Sequence, residues 1–231
     1  MIDFFTRRFH PAARPVASPD DPNIVANACE SKPYHVAHNV KLRDKFWIKQ
    51  QPYSVLDMLA YSPLATSFAG GTIYQAFLSA LSYHRWHAPV SGTIRSTSVK
   101  DGTYFSGMLC EEEPQDSKSG DIVVAIDRKG IATSQGYLTA LATRAIIFIE
   151  ADSPAIGLMA FIGVGMDEVS TCEITVREGQ RVEKGDEIGM FHFGGSTHCL
   201  LFRKGVKIEG FPEVGREENV PVRSQLCVAL P

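Results

Sequence analysis

The chain has 231 residues, of which 44% are hydrophobic and 21% charged, with a net charge of −3. At roughly 100–200 residues per domain it can bury a sizeable core, and residues 1–231 read as a single domain. The ordinary composition excludes disordered, collagenous and coiled-coil chains, and the weak negative charge excludes the basic field of a nucleic-acid or anionic-membrane binder.

The longest apolar run, residues 155–166, carries three glycines and falls short of the roughly 18 residues of a membrane helix, so no integral membrane segment is expected. Residues 1–15 lack the apolar stretch of a secretory leader. Cys29, Cys110, Cys172, Cys199 and Cys227 are odd in number and irregularly spaced, with no C-x-x-C pair. They predict reduced thiols in a cytoplasmic protein rather than a disulfide scaffold or a zinc knuckle.

In chain order, residues 1–33 read as irregular, because prolines 11, 15, 19, 22 and 33 exclude long helices. Residues 34–48 alternate weakly and read as one or two strands. Residues 53–60 predict a short amphipathic helix with Ser54 as N-cap and Asp57 at the third position. Gly70-Gly71 opens a buried strand over residues 72–78. Residues 80–86 read as one helical turn, and residues 89–92 turn into a strand over 93–99. The acidic, serine-rich stretch 111–121 reads as an exposed loop.

The second half predicts strands at 145–150, 156–164 and 171–176, dense in Ile, Val, Phe and Thr. Gly179 and Gly185 then space two short strands, as in the tight hairpins of small barrels. No internal repeat is present. The fold class is therefore α+β and β-rich, with antiparallel sheets or a partly open barrel and few short helices.

Three segments could carry chemistry. In residues 191–202 two glycines, Gly194 and Gly195, precede Ser196 between apolar strands. A serine following a strained glycine peptide can attack the preceding carbonyl, although the spacing fits a Gly-Gly bulge equally well. In Tyr83-His84-Arg85-Trp86-His87 the two histidines would share a face of a helical turn, as ligands, bases or half-buried structural groups. No third and fourth metal ligands stand out, so no metal is expected. In Asn27-Ala28-Cys29-Glu30-Ser31 a lone carboxylate sits among small residues, where a solvated loop is the bland alternative. His10, His35, His38 and His192 read as structural.

Taken in order along nearly the whole chain, these segments resemble the phosphatidylserine decarboxylase family of pyruvoyl-dependent enzymes. Residues 4–15 look like its N-terminal segment. Gly71-Thr72, Leu78-Ser79 and Tyr83-His84-Arg85-x-His87-x-Pro89-x-x-Gly92 are similar to its signature. Val182-x-Lys184-Gly185 through Gly194-Gly195-Ser196-Thr197 and Leu201-Phe202 look like its self-processing segment.

The resemblance implies that Ser196 attacks the Gly195 carbonyl and that the chain cleaves into 1–195 and a light fragment of 36 residues, 196–231, which stay associated. A covalent pyruvoyl group replaces Ser196 and forms a Schiff base with the substrate amine, with neither metal nor pyridoxal phosphate. The family's carboxylate–histidine–serine triad falls on Glu30, His87 and Ser196. Glu30 stands where the family usually carries aspartate, and Asp57 is the fallback. His84 falls on the family's substrate-side histidine and would return a proton after decarboxylation. Gly194, Thr197 and His198 are supporting residues. The segments 29–34, 76–87 and 193–199 look most similar to the soluble fungal branch that includes tryptophan decarboxylases. This implies a free, aromatic amino acid as substrate, with phosphatidylserine as the alternative and an inactive scaffold of the same fold as a further one. A homodimer and a longer native chain are both compatible with the resemblance.

Overall fold

The computed structural model describes residues 6–43, 53–79, 81–103, 135–165, 171–192 and 196–231. The expected loop at 111–121 and the Phe46-Trp47-Ile48 part of the expected early strand lie outside them.

A seven-stranded antiparallel sheet organises the chain. Its strands run β2 (Lys32–His38), β3 (Thr72–Leu78), β11 (Ser196–Phe202), β7 (Leu158–Gly165), β6 (Arg144–Ala151), β5 (Gly92–Lys100) and β9 (Arg181–Val182) from edge to edge. The sheet does not close into a barrel. Most of these strands coincide with the β-branched and aromatic runs, whose side chains fill a pleated, buried surface.

Side-chain alternation divides the buried residues into two cores. On one face Tyr74, Ala76, Leu78, Phe161, Leu200 and Phe202 pack against two small sheets. These are β1 (Ile24–Ala26) with β13 (Gln225–Leu230) and β12 (Lys207–Glu209), and β4 (Arg85–His87) with β10 (Glu187–Phe191) and β8 (Cys172–Ile174). On the other face Ile73, Ile162, Cys199 and Leu201 pack against Val55, Met58, Leu59 and Phe68 from the helical segments. A sheet with both faces covered reads as continuous apolar runs, which is the composition of β6 and β7.

Ser54 does precede the helix Val55–Met58, but its hydroxyl donates to the Asp57 carboxylate instead of capping a backbone N–H. Of the helical turn expected at 80–86, the described residues 81–86 are not helical. They run from a bend into β4, whose Arg85 and Trp86 pair with Met190 and Gly189 of β10. Ladder pairing with β10 outweighs the local spacing there. The helix Gln135–Leu141 and the strands β1, β12 and β13 lack a strong period of their own and arise from tertiary pairing. The four described cysteines, Cys29, Cys172, Cys199 and Cys227, are free and buried.

Candidate active site

Ser196 is the first residue of β11, paired with Leu78 on one side and Gly165 on the other. The strand period puts its side chain on the face shared with His198, Leu200 and Phe202. The Ser196 hydroxyl is buried and has no hydrogen-bond partner among the described residues. Gly194 and Gly195 lie outside the described residues. Thr197 points to the opposite face, where its Oγ1 donates to the Ala76 carbonyl at 2.9 Å and accepts from Gln75 Nε2 at 3.1 Å. It braces the strand rather than joining Ser196.

Trp86 covers this face. Its indole fills the space left by two missing side chains. A Cβ on Gly163 would come within 2.9 Å of Cζ2, and one on Gly189 within 2.5 Å of Cε3. The ring meets Phe161 at 5.2 Å and Phe191 edge-on at 4.6 Å between centroids. His84 lies two residues before Trp86, its ring edge-on to Phe191 at 6.5 Å. Burial first, and then the nearby Arg7 cation, lower its pKa to about 4.

His87 occupies the other side of β4, because successive strand residues alternate. The two histidines therefore do not share a face as a helical turn would have arranged. The His87 ring stacks on Tyr83 at 5.8 Å, and Tyr83 stacks on Phe9 at 4.1 Å. Nδ1 lies 2.8 Å from the Gly185 carbonyl, and Nε2 lies 3.0 Å from the Tyr83 hydroxyl. Arg223 Nε also approaches Nδ1, at 3.2 Å. The carbonyl needs a proton on Nδ1 and the guanidinium needs a lone pair there, so only one can bond. The shorter carbonyl contact fits the tautomer in which Nε2 accepts from Tyr83. Burial drives the His87 pKa down to about 4, against the upward pull of Gly185, and the Arg223 cation adds to the fall. The ordinary imidazole value near ~6.5 is thus not what this environment produces for either histidine.

Gly185 is held in place from several sides. Its φ of +90° suits a residue without Cβ, and its N–H donates to the Ala88 carbonyl at 2.8 Å. The neighbouring Lys184 ammonium donates to the carbonyls of Ser18, Asp21 and Ile24 at 2.6, 2.7 and 3.0 Å. The N-terminal segment is thereby tied to the loop that carries the Gly185 carbonyl.

Glu30 is buried, and its oxygens are engaged elsewhere than on His87. The Arg14 guanidinium donates to both, each at 3.0 Å, and the Val222 N–H donates to Oε2 at 2.9 Å. Arg223 follows Val222 with a φ of +69°, a strained value for a residue with a Cβ. Among the described residues no hydrogen bond joins Glu30 to His87 or His87 to Ser196. Asp57 accepts from Ser54 and from Tyr61 at 2.8 Å, in the helical layer across the sheet from Ser196. His38 bonds Thr72 Oγ1 at 3.1 Å and His192 pairs with Glu173, so both have structural partners.

Tyr83, Trp86, Gly185 and Lys184 all stood inside recognisable motifs, yet their roles at His87 and over Ser196 did not follow from spacing. Arg223, Tyr74 and Phe161 carried no local signal. Among the described residues no group of three His, Cys, Asp or Glu side chains could hold a metal ion.

A buried serine opens a strand inside an open antiparallel sheet, with an aromatic cover, His87 on the neighbouring strand β4 and His84 just before it. Residues 1–225 match the sequence model of phosphatidylserine decarboxylase, and the chain belongs to that family. It is 49% identical over 214 residues to the decarboxylase iboD of Amanita muscaria, covering 91% of this chain and 59% of that protein. It is 42% identical over 219 residues to the L-tryptophan decarboxylase of Psilocybe cyanescens, covering 92% and 49%. It is 32% identical over 205 residues to phosphatidylserine decarboxylase proenzyme 3 of Schizosaccharomyces pombe, covering 88% and 19%. The chain spans about half the length of the first two relatives. No helix among the described residues is long and apolar enough to cross a membrane.

Proposed function

We propose that the protein is a self-processing, pyruvoyl-dependent decarboxylase of a free aromatic L-amino acid. The observation that carries this reading is the buried Ser196 hydroxyl, unpartnered among the described residues and directly after Gly194-Gly195 in the sequence, under an aromatic cover. A buried hydroxyl without a partner is costly, and a reactive role accounts for its retention.

In the first stage the Ser196 Oγ attacks the carbonyl of Gly195 and takes over its acyl group as an ester. Elimination and hydrolysis then free the Gly195 carboxylate and ammonia, leaving fragments 1–195 and 196–231 associated through the β3–β11–β7 ladder. The Ser196 site fits the group this produces, since it is the start of a strand on a dry face and not a solvated loop. When formed, the pyruvoyl group supplies the electron-withdrawing carbonyl that takes up the charge left by carbon dioxide.

The chain's own residues divide the remaining work. His87 carries its Nδ1 proton on Gly185 and keeps an Nε2 lone pair. The family resemblance supports it as the general base for the serine proton, a role that requires its ring to leave Tyr83 and turn from the far side of β4 toward Ser196. His84, on the Trp86 side of β4, serves turnover by moving a proton to the substrate α-carbon. Glu30 holds Val222 and Arg14 beside this cluster, a positioning role one step removed from the imidazole. The aromatic face and the similarity to a tryptophan decarboxylase support an amino-acid substrate. Phosphatidylserine remains the second reading, favoured by the family as a whole.

A denaturing gel and carbon dioxide release from tryptophan, phenylalanine and phosphatidylserine test this. Two fragments with release from tryptophan are expected. A single unprocessed chain overturns the enzyme in favour of a scaffold, and release from phosphatidylserine alone overturns the substrate.

A further inference from the structure

The face of β11 that looks away from Ser196 carries a buried polar chain. The Tyr53 hydroxyl donates to Gln75 Oε1 at 2.6 Å, and Gln75 Nε2 donates to Thr197 Oγ1 at 3.1 Å. Thr197 Oγ1 donates in turn to the Ala76 carbonyl at 2.9 Å, so the chain ends on the backbone of β3. Gln75 and Thr197 are fully buried and Tyr53 nearly so.

The neighbours on this side of the sheet are apolar. Gln75 stands directly across the ladder from Cys199 and diagonally from Thr197, while Ile162 and Val164 flank the same two β11 residues from β7. An aliphatic side chain would fill the place of Gln75 without burying an amide. What the amide adds is direction. Its bonds form in one register, and a slip of one residue would turn Thr197 to the Trp86 face and Ser196 away from it.

The chain also ends on the residue that follows Ser196. Before cleavage the Gly195–Ser196 peptide bond tethers Ser196 from its other side. After cleavage residue 196 is a chain end, and a pyruvoyl group there has no N–H to offer the ladder. Thr197 is then the first residue of the light fragment that can be anchored by backbone and side chain together, at a strand end where local opening is easiest.

Resting on the self-processing reading above, we propose that Gln75, braced by Tyr53, is a positioning residue for turnover: through Thr197 it holds residue 196 in place once the chain has been cut.

Gln75→Met nearly keeps the volume and removes the amide. It is expected to self-cleave within about threefold of the wild-type rate and, per cleaved chain, to lose about tenfold in kcat with KM within about twofold. Turnover is measured with whichever of tryptophan and phosphatidylserine the wild type decarboxylates. The second readout needs no substrate. Hydrogen exchange in the light-fragment peptide 196–202, followed by mass spectrometry, should be about tenfold faster at the leading amides of cleaved Gln75→Met than in cleaved wild type. On the uncleaved Ser196→Ala background the same substitution should change exchange little. Thr197→Val is expected to reproduce the kcat loss and Thr197→Ser to recover most of it, and this pair decides the question if Gln75→Met does not fold. Equal acceleration of exchange in cut and uncut chains would make the network a general brace and overturn the proposal. So would a cleaved Gln75→Met with wild-type kcat, a loss in cleavage equal to the loss in turnover, or a Thr197→Ser as slow as Thr197→Val. In each of these cases cleavage of the wild type leaves the self-processing reading standing. A wild type that is never cleaved overturns both.

Discussion

The His87 imidazole is oriented by a backbone carbonyl, that of Gly185, 2.8 Å from Nδ1. A carbonyl fixes the tautomer as a carboxylate does, but it does not stabilise the imidazolium to the same degree. This agrees with a His87 pKa lowered to about 4 mainly by burial.

That environment sets the pH dependence. If neutral His87 takes the Ser196 proton, self-cleavage should stay on its plateau as pH falls from 8 to 5 and decline around pH 4, not near ~6.5. Timed gels across pH 4–8 read this out, and a midpoint near 6.5 would show that His87 is solvated when it acts.

Stability should move the other way from a salt-bridged protein's histidines. His84, His87 and His198 all have folded-state pKa values below the ordinary one. Between about pH 6.5 and 4 the unfolded chain therefore binds protons that the folded chain refuses. Stability is present above that window and is lost as pH falls through it, by up to about 1.4 kcal/mol per pH unit for each histidine. Melting temperature from pH 7.5 to 4.5 should fall accordingly.

Glu30→Gln distinguishes a direct from an indirect role. A carboxylate bonded to the catalytic imidazole is worth about 10⁴ in the worked protease case. Holding Arg14 and the Val222 N–H supports a smaller loss, about tenfold in cleavage rate, with about 1–3 kcal/mol of stability. A loss near 10⁴ with the fold intact would return Glu30 to direct contact with His87.

Tyr83→Phe removes the hydroxyl that occupies His87 Nε2. Cleavage should be at least as fast as in wild type, while stability drops by about 1 kcal/mol. Slower cleavage at unchanged melting temperature would mean that the hydroxyl takes part in proton transfer.

Lys184→Met should cost about 1–3 kcal/mol, because three part-buried backbone carbonyls lose a charged donor at once. Slower self-cleavage should accompany the loss, since the same loop presents the Gly185 carbonyl. Urea unfolding and a timed gel measure the two effects on one preparation.

Much of the frame was legible in the residues alone. Thr72–Leu78 and the runs over β6 and β7 are so rich in β-branched and aromatic side chains that burial on both faces leaves strand as their consistent state. Motif order likewise pointed to Ser196, and its side of β11 follows from the two-residue period. The partners of the imidazoles did not follow. Whether residues 81–87 wind or extend depends on β10, a hundred residues away, and the change to strand sends His84 and His87 to opposite sides. Arg14 reaches Glu30, Arg223 reaches His87, and Trp86 lies over Gly163 only because distant segments pack together. Local propensity and period act within a few residues, whereas hydrogen-bond partners and buried charges are set by contacts that span the chain.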